Sequence, residues 1–371
     1  MTLIGKRLPT PFDRSAAARN NLRDLFLLPS CLCGAMVLCA LVTSMLAGVS
    51  SSLLWGPYFS TSIAITIIST LLTIFWWVLQ LARAQADYPL RAVRERLRER
   101  TVYLLLPALI FPIFLASYTA VKTAIPFLVG YSWDPFWAHA DRVIFGDDAW
   151  RIAFRWLGTG AALPLEWFYS VAWGLALIFV MAFVPLNASP RLTTRFYSAM
   201  MATWLLGGVA LAYLLSAAGP VFALTNGNPN DQFADLRKVL DSTLAPNSPI
   251  RLTQTYLSSA LNSHVAIKGG GISAMPSMHL GTVSIYILAA RGTRWLIPSI
   301  LFWIIIFICS GYFGYHYWVD AIVAVVVATA CWIVTDALLR LPARTPADVP
   351  RDISPDVNDP DGIPVYPAPS A

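Results

Sequence analysis

The sequence predicts an all-α, polytopic membrane protein with about eight transmembrane helices, and three observations carry this. Of 371 residues, 57% are hydrophobic and 12% charged, where a soluble domain carries about 25% charged residues. Mean hydropathy is +0.61. Apolar windows close to the length that spans a bilayer, about 20 residues, recur along the chain.

The first window, Phe26–Val49, follows a long polar stretch and exceeds the apolar run of a signal peptide, so it reads as an uncleaved first span. Thr61–Ala82 and Val102–Ala120 are the second and third spans. Between them, Arg91–Arg100 alternates with Glu95 and Glu99 and predicts a helix on the cytoplasmic surface. Leu163–Leu186 and Phe196–Ala217 are the fourth and fifth spans, and Trp295–Phe313 and Trp318–Leu339 the seventh and eighth. The sixth, Pro276–Ala290, is short. At 1.5 Å per residue it covers about 22 Å of a hydrocarbon layer about 30 Å thick, which recesses its start below the outer surface.

The chain divides into a cytoplasmic segment 1–25, N-terminal transmembrane helices 26–120, a catalytic membrane domain 121–340, and a tail 341–371. The tail is Pro- and Asp-rich without apolar periodicity and is predicted to be disordered. No internal repeat is visible.

Orientation follows from Lys and Arg in the connecting segments. With both termini cytoplasmic, the inner segments hold fifteen, tail excluded, against eight in the outer loops. This topology puts His279, His316 and Asp320 on the same outer side. The outer loops Lys122–Ala162 and Ala218–Met275 are too long for plain connectors and are expected to be structured and to shape a site.

The net charge of +6 does not indicate nucleic acid. The arginines gather in short loops between apolar runs, as membrane orientation requires, and no basic stripe with interleaved aromatics occurs. The five cysteines (Cys31, Cys33, Cys39, Cys309, Cys331) lie in apolar runs and read as packing residues. No Cys-x-x-Cys pair or Cys/His cluster indicates a metal.

Two of only four histidines lie in Ala274-Met275-Pro276-Ser277-Met278-His279 and Gly314-Tyr315-His316-Tyr317-Trp318-Val319-Asp320, each at the edge of an apolar stretch. Two histidines and a carboxylate one helical turn on supply a nucleophile, its orienting group and an acid for a leaving oxygen. Asp320, four residues after His316, shares its face if a helix begins there. A carboxylate on one ring nitrogen fixes the tautomer and raises the basicity of the other. Pro276 suits the first turn of a helix, with Ser277 and His279 near its N-terminus. Free N–H groups there favour a phosphate, and Gly269, Gly270 and Gly271 offer further donors. The assignment is His316 as nucleophile on phosphorus, Asp320 as its orienter and His279 as general acid.

Pro276-Ser277-Met278-His279 resembles the second signature of the type 2 phosphatidic acid phosphatase (PAP2) superfamily, and His316-Tyr317-x-x-Asp320 its third. The resemblance implies a PAP2-like helical core and the same three roles. The form of both motifs, with Trp133-Asp134-Pro135-Phe136, Asp141-Arg142, Phe145-Gly146 and Gly219-Pro220, is most similar to the inositol phosphorylceramide synthase branch and its bacterial relatives. It covers about Trp133 to Leu339. Two departures stand out: the first signature, Lys-x6-Arg-Pro, is absent, and Ser310 replaces an arginine six residues before His316. Both normally neutralise the phosphate. Arg142, Arg151, Arg155, Arg251 and Lys268 are the candidate replacements, with Lys268 and Arg142 preferred.

Ser277, Gly270, Gly271, Lys268, Arg142 and Glu166 complete the expected substrate-binding set. Glu166 lies just inside the fourth span, where an ionisable group is costly and often functional; it would bind an acceptor hydroxyl, pair with an outer arginine or reach water. His139 and His264 read as structural. The Asp147-Asp148 pair is discounted as a metal site because the resemblance implies metal-independent chemistry, so no metal or cofactor is expected. The expected partners are membrane lipids, a phospholipid donor and a lipid alcohol acceptor, with no nucleic acid. The expected location is the bacterial inner membrane, with the active site on the outer face. The expected activity is head-group phosphate transfer through a phosphohistidine. A lipid phosphate or polyprenyl diphosphate phosphatase using the same residues with water is the alternative. A transporter fits less well, because the ionisable residues cluster at one face instead of tracing a midplane path.

Overall fold

The computed structural model describes residues 11–340 apart from 53, 86, 224–230 and 262, with side chains from residue 25 onward. The expected disordered tail lies outside the described residues, as do residues 1–10 of the segment 1–25. The described elements are helical, and the isolated bridge between Ser50 and Val265 is the sole extended pairing among them.

In chain order the helices are α1 (Pro11–Ala47), α2 (Trp55–Arg83), α3 (Pro89–Leu128), α4 (Asp134–Phe145), α5 (Ala149–Leu157), α6 (Thr159–Asn187), α7 (Pro190–Leu214), α8 (Ala234–Thr243), α9 (Pro249–Ala260), α10 (Met278–Ala290), α11 (Leu296–Tyr312) and α12 (Val319–Leu338). Six are long and apolar enough to cross a membrane: α1 from Leu25, α2, α3, α6, α7 and α12. The helices α10 and α11 are apolar but shorter. The protein is thus an integral membrane protein with a helical core.

The arginine-rich helix Pro89–Arg100 forms as expected, but it runs on into the third span instead of standing apart. Pro107 and Pro112 lie at the join, where their missing N–H groups interrupt the α-helical ladder. A π turn over Leu106–Ile110 carries the chain across. Further π turns interrupt α6 at Trp167–Ala172 and α7 at Leu206–Leu211. Such turns are often found at functional sites, and the one in α6 carries Tyr169 and Ser170 to the cavity described below.

The short helix α10 sits inside the bundle, packed on α7, α11 and α12. Around it, α1 packs on α3 and α7, and α2 on α3 and α6. Small residues allow the close approaches: a Cβ at Gly208 of α7 would stand 2.6 Å from Tyr118 of α3. Both long loops expected on the outer side are structured, the first by α4 and α5 and the second by α8 and α9. The α1–α2 turn pins the second loop, since Ser50 donates its N–H to His264 O and accepts that of Ala266.

Candidate active site

The loop between α11 and α12 carries His316. Its backbone N–H donates to Ser310 O at 3.2 Å, so the position of the replaced arginine now anchors the loop through its backbone. The His316 ring presents Nδ1 to two acceptors, Ala274 O at 2.7 Å and Asp320 Oδ2 at 3.2 Å. Both pair with a protonated Nδ1, which leaves Nε2 with its lone pair free. Asp320, fully buried in the first turn of α12, also accepts the Tyr317 N–H at 3.1 Å. Burial, opposed by the Ala274 bond and reinforced by the nearby Lys122 charge, pushes the His316 pKa down to about 3. His316 is therefore neutral at physiological pH, as a nitrogen nucleophile must be.

Two carboxylates on α4 hold this loop in place. Asp134 accepts the N–H groups of Ala218 and Gly219, each at 2.9 Å, and the Tyr317 hydroxyl at 2.8 Å. Asp141 accepts the N–H groups of Trp318 at 3.1 Å and Val319 at 2.9 Å, which belong to the start of α12. Burial raises the pKa of both, that of Asp141 to about 7. Gly219 follows from the same geometry. It has φ +90°, and a Cβ there would run into the Tyr315 carbonyl oxygen.

His279 stands in the first turn of α10. Ser277 is the N-cap, its side chain accepting the Leu280 N–H, which is the usual way a serine satisfies a helix start. Pro276 precedes the cap instead of entering the first turn. The His279 ring stacks on Tyr169 at 4.7 Å between centroids and meets Trp173 at 4.1 Å. It lies 5.7 Å from the His316 ring, at a steep angle. Both histidines line a cavity of about 430 Å³. Its lining also includes Lys268, the three glycines, Leu115, Leu177, Ile178 and Trp204.

The expected binding residues divide between this cavity and other surroundings. Lys268, Gly270 and Gly271 line the cavity, with Lys268 Nζ bonded to Thr61. Ser277 is a buried cap and not a lining residue. Arg142 lies outside the lining: its Nε pairs with Asp148 at 2.7 Å and its Nη2 bonds Gln232 at 2.9 Å. Arg151, Arg155 and Arg251 are likewise held by Asp148 and Asp235, Asp147, and Asp241. Asp147 and Asp148 thus serve as arginine partners. Glu166 is buried outside the lining, and its Oε2 has no hydrogen-bond partner among the described residues. His264 bonds Ala47 O at 2.9 Å and stacks on Phe127, the structural role expected of it.

Lys122, Tyr169 and Tyr315 line the cavity and were not singled out by the sequence. Lys122 follows the third apolar window by two residues, so it counted as the start of a loop. In the structure it lies inside α3. A charged residue so close to an apolar run was the available signal.

The family model for the PAP2 superfamily matches residues 140–334, just over half of the chain. The match includes His279, His316 and Asp320 and leaves out α1, α2 and α3. No curated protein and no solved structure matches the chain.

Proposed function

The chain belongs to the PAP2 superfamily, and on that premise we propose that it is a membrane lipid phosphotransferase working through a phosphohistidine, similar to inositol phosphorylceramide synthase. Membership itself points to a phosphatase or phosphotransferase acting on lipid phosphates. The observation that carries the mechanism is the His316 ring, with Nδ1 held by Ala274 O and Asp320 and Nε2 unoccupied, 5.7 Å from the His279 ring.

In the first step Nε2 of His316 attacks phosphorus. The N–P bond forms, the bond from phosphorus to the leaving lipid oxygen breaks, and His279 gives that oxygen its proton. In the second step the acceptor hydroxyl gives its proton to His279 and attacks the same phosphorus, and the N–P bond breaks. Asp320 and Ala274 O keep the Nδ1 proton in place throughout. A lipid alcohol as acceptor gives a transferase, and water gives a hydrolase.

The cavity supports lipid substrates on both sides of the exchange. Its lining follows α6 from Tyr169 to Ile178, a rise of about 13 Å at 1.5 Å per residue. The same lining holds both histidines and the apolar side chains of Leu115, Leu177 and Ile178. We count α10 and α11 as spans, giving eight, with both termini cytoplasmic and the histidines at the outer face. The Lys and Arg distribution supports this orientation.

Product analysis with a phosphate-labelled phospholipid and a lipid alcohol in proteoliposomes tests the reading. Label in a new head-grouped lipid, lost in His316→Ala, is the expected result. Label released as water-soluble phosphate alone would assign the hydrolase, and turnover unchanged in His316→Ala would overturn the mechanism.

A further inference from the structure

We propose that Lys122 is the cation that holds the substrate phosphate, so that a helix outside the matched family segment completes the active site. The inference rests on the phosphoryl-transfer reading and fills the place left by the absent basic signatures.

The surrounding charges single Lys122 out. Each of the outer arginines 142, 151, 155 and 251 is engaged by at least one aspartate and lies outside the cavity lining. Lys268 lines the cavity, but it is exposed and its Nζ is bonded to Thr61. Lys122 lines the same cavity as both histidines and has no carboxylate partner among the described residues. Lys122 is half-buried; an ammonium group partly withdrawn from bulk water without a counter-ion loses hydration that nothing replaces, and a phosphate bound beside His316 would supply the missing partner. Its charge already acts on His316, as one of the influences that keep the ring neutral.

The packing around Lys122 fixes its stem. Tyr213 on α7 donates its hydroxyl to Val121 O at 2.8 Å, fastening α3 at the preceding residue. From the other side Gly271 lies against Lys122. It has φ +79°, and a Cβ there would stand 2.8 Å from the Lys122 carbonyl carbon and 2.9 Å from its Cγ. The glycine run thus brings its backbone against the lysine stem, where a side chain would force the two apart.

Neutral donors stand nearby. The rings of Tyr169 and Tyr315, 5.2 Å apart, line the cavity, and neither hydroxyl has a hydrogen-bond partner among the described residues. One flexible-tipped cation with unpartnered hydroxyls suits an anion that arrives with its substrate, whereas a permanent salt bridge would be satisfied in its absence.

The test measures inorganic phosphate binding to the purified full-length protein in detergent, by calorimetry, without turnover. The unsubstituted protein is expected to bind, and Lys122→Met and Lys122→Gln to weaken binding by about tenfold or more, equivalent to at least about 1.4 kcal/mol. Lys122→Arg and Lys238→Met, the latter an exposed lysine outside the cavity lining that pairs with Asp235, are expected to stay within about threefold of the unsubstituted protein, a change of under 1 kcal/mol. The glutamine variant serves should the methionine variant fail to fold. Unchanged binding in either neutral variant, loss in Lys268→Met instead, or no phosphate binding by the unsubstituted protein would each overturn the assignment. These outcomes are separate from failure of the phosphohistidine reading, which shows as turnover surviving in His316→Ala.

Discussion

The Tyr317 hydroxyl donates to the Asp134 carboxylate at 2.8 Å, joining the neighbour of His316 to a helix 183 positions earlier in the chain. Asp134 simultaneously holds the Ala218–Gly219 corner, so one buried carboxylate fixes two loops that converge on the histidine. Replacing Tyr317 with Phe leaves the two backbone bonds to Asp134 and removes the third. Loss of one hydrogen bond to a buried acceptor that keeps its other partners is expected to cost about 0.5–1.5 kcal/mol. A lowered thermal unfolding midpoint in detergent is the check.

Asp141 makes stability depend on pH. Burial raises its pKa in the folded protein from 3.8 to about 7. A raised folded-state pKa means that the unfolded chain loses the proton first as pH rises. The stabilisation from the protonated group is therefore complete below 3.8 and lost as pH climbs through about 7. The unfolding midpoint is expected to fall across this interval, and Asp141→Asn to flatten the slope.

Gly219→Ala tests the backbone corner. At φ +90° a side chain is strained, and its Cβ would meet the Tyr315 carbonyl oxygen. The cost of such a backbone is about 1–3 kcal/mol, before any shift of Tyr315 is counted. The expected result is a less stable protein with reduced kcat, since Tyr315 adjoins His316.

The two partners of the nucleophile are expected to differ in severity. His279→Ala removes the general acid and is expected to lower kcat by about 10²–10⁴-fold. Asp320→Asn is expected to cost less, about 10–100-fold, by analogy with the partners that orient metal-bound histidines. The smaller effect follows from Ala274 O, which bonds the same Nδ1 at 2.7 Å. Steady-state kinetics on both variants, with the pH profile of kcat for Asp320→Asn, separates orientation from general damage.

Much of the site was legible because its chemistry needs few residue types. His316 and Asp320 are one helical turn apart, and His279 follows a capping serine, so spacing alone brought out the trio. The apolar windows located the six helices long enough to cross a membrane and the two shorter apolar ones, because burial in lipid demands long runs of one character. The joins were harder to see. The arginine-rich helix continues into the third span through a π turn whose prolines alone gave no register. Arg142 looked free because its partner, Asp148, reaches it only after the chain turns at Gly146, the left-handed end of α4. Lys122 joins the lining of the cavity that holds the histidines, and α3 packs there against the glycine loop, a contact between segments about 150 residues apart in sequence. Asp134 and Asp141 were visible as part of a family-like stretch, but their bonds to the His316 loop depend on that same long-range packing.

The most direct test of the central claim is to trap the covalent intermediate. The purified protein is mixed with a phospholipid labelled at its phosphate, quenched in alkali and mapped by peptide mass spectrometry. A phosphoramidate survives alkali and is cleaved by acid. The account predicts an acid-labile label on the His316 peptide, abolished in His316→Ala. Label on another residue, or full turnover in His316→Ala, would contradict it.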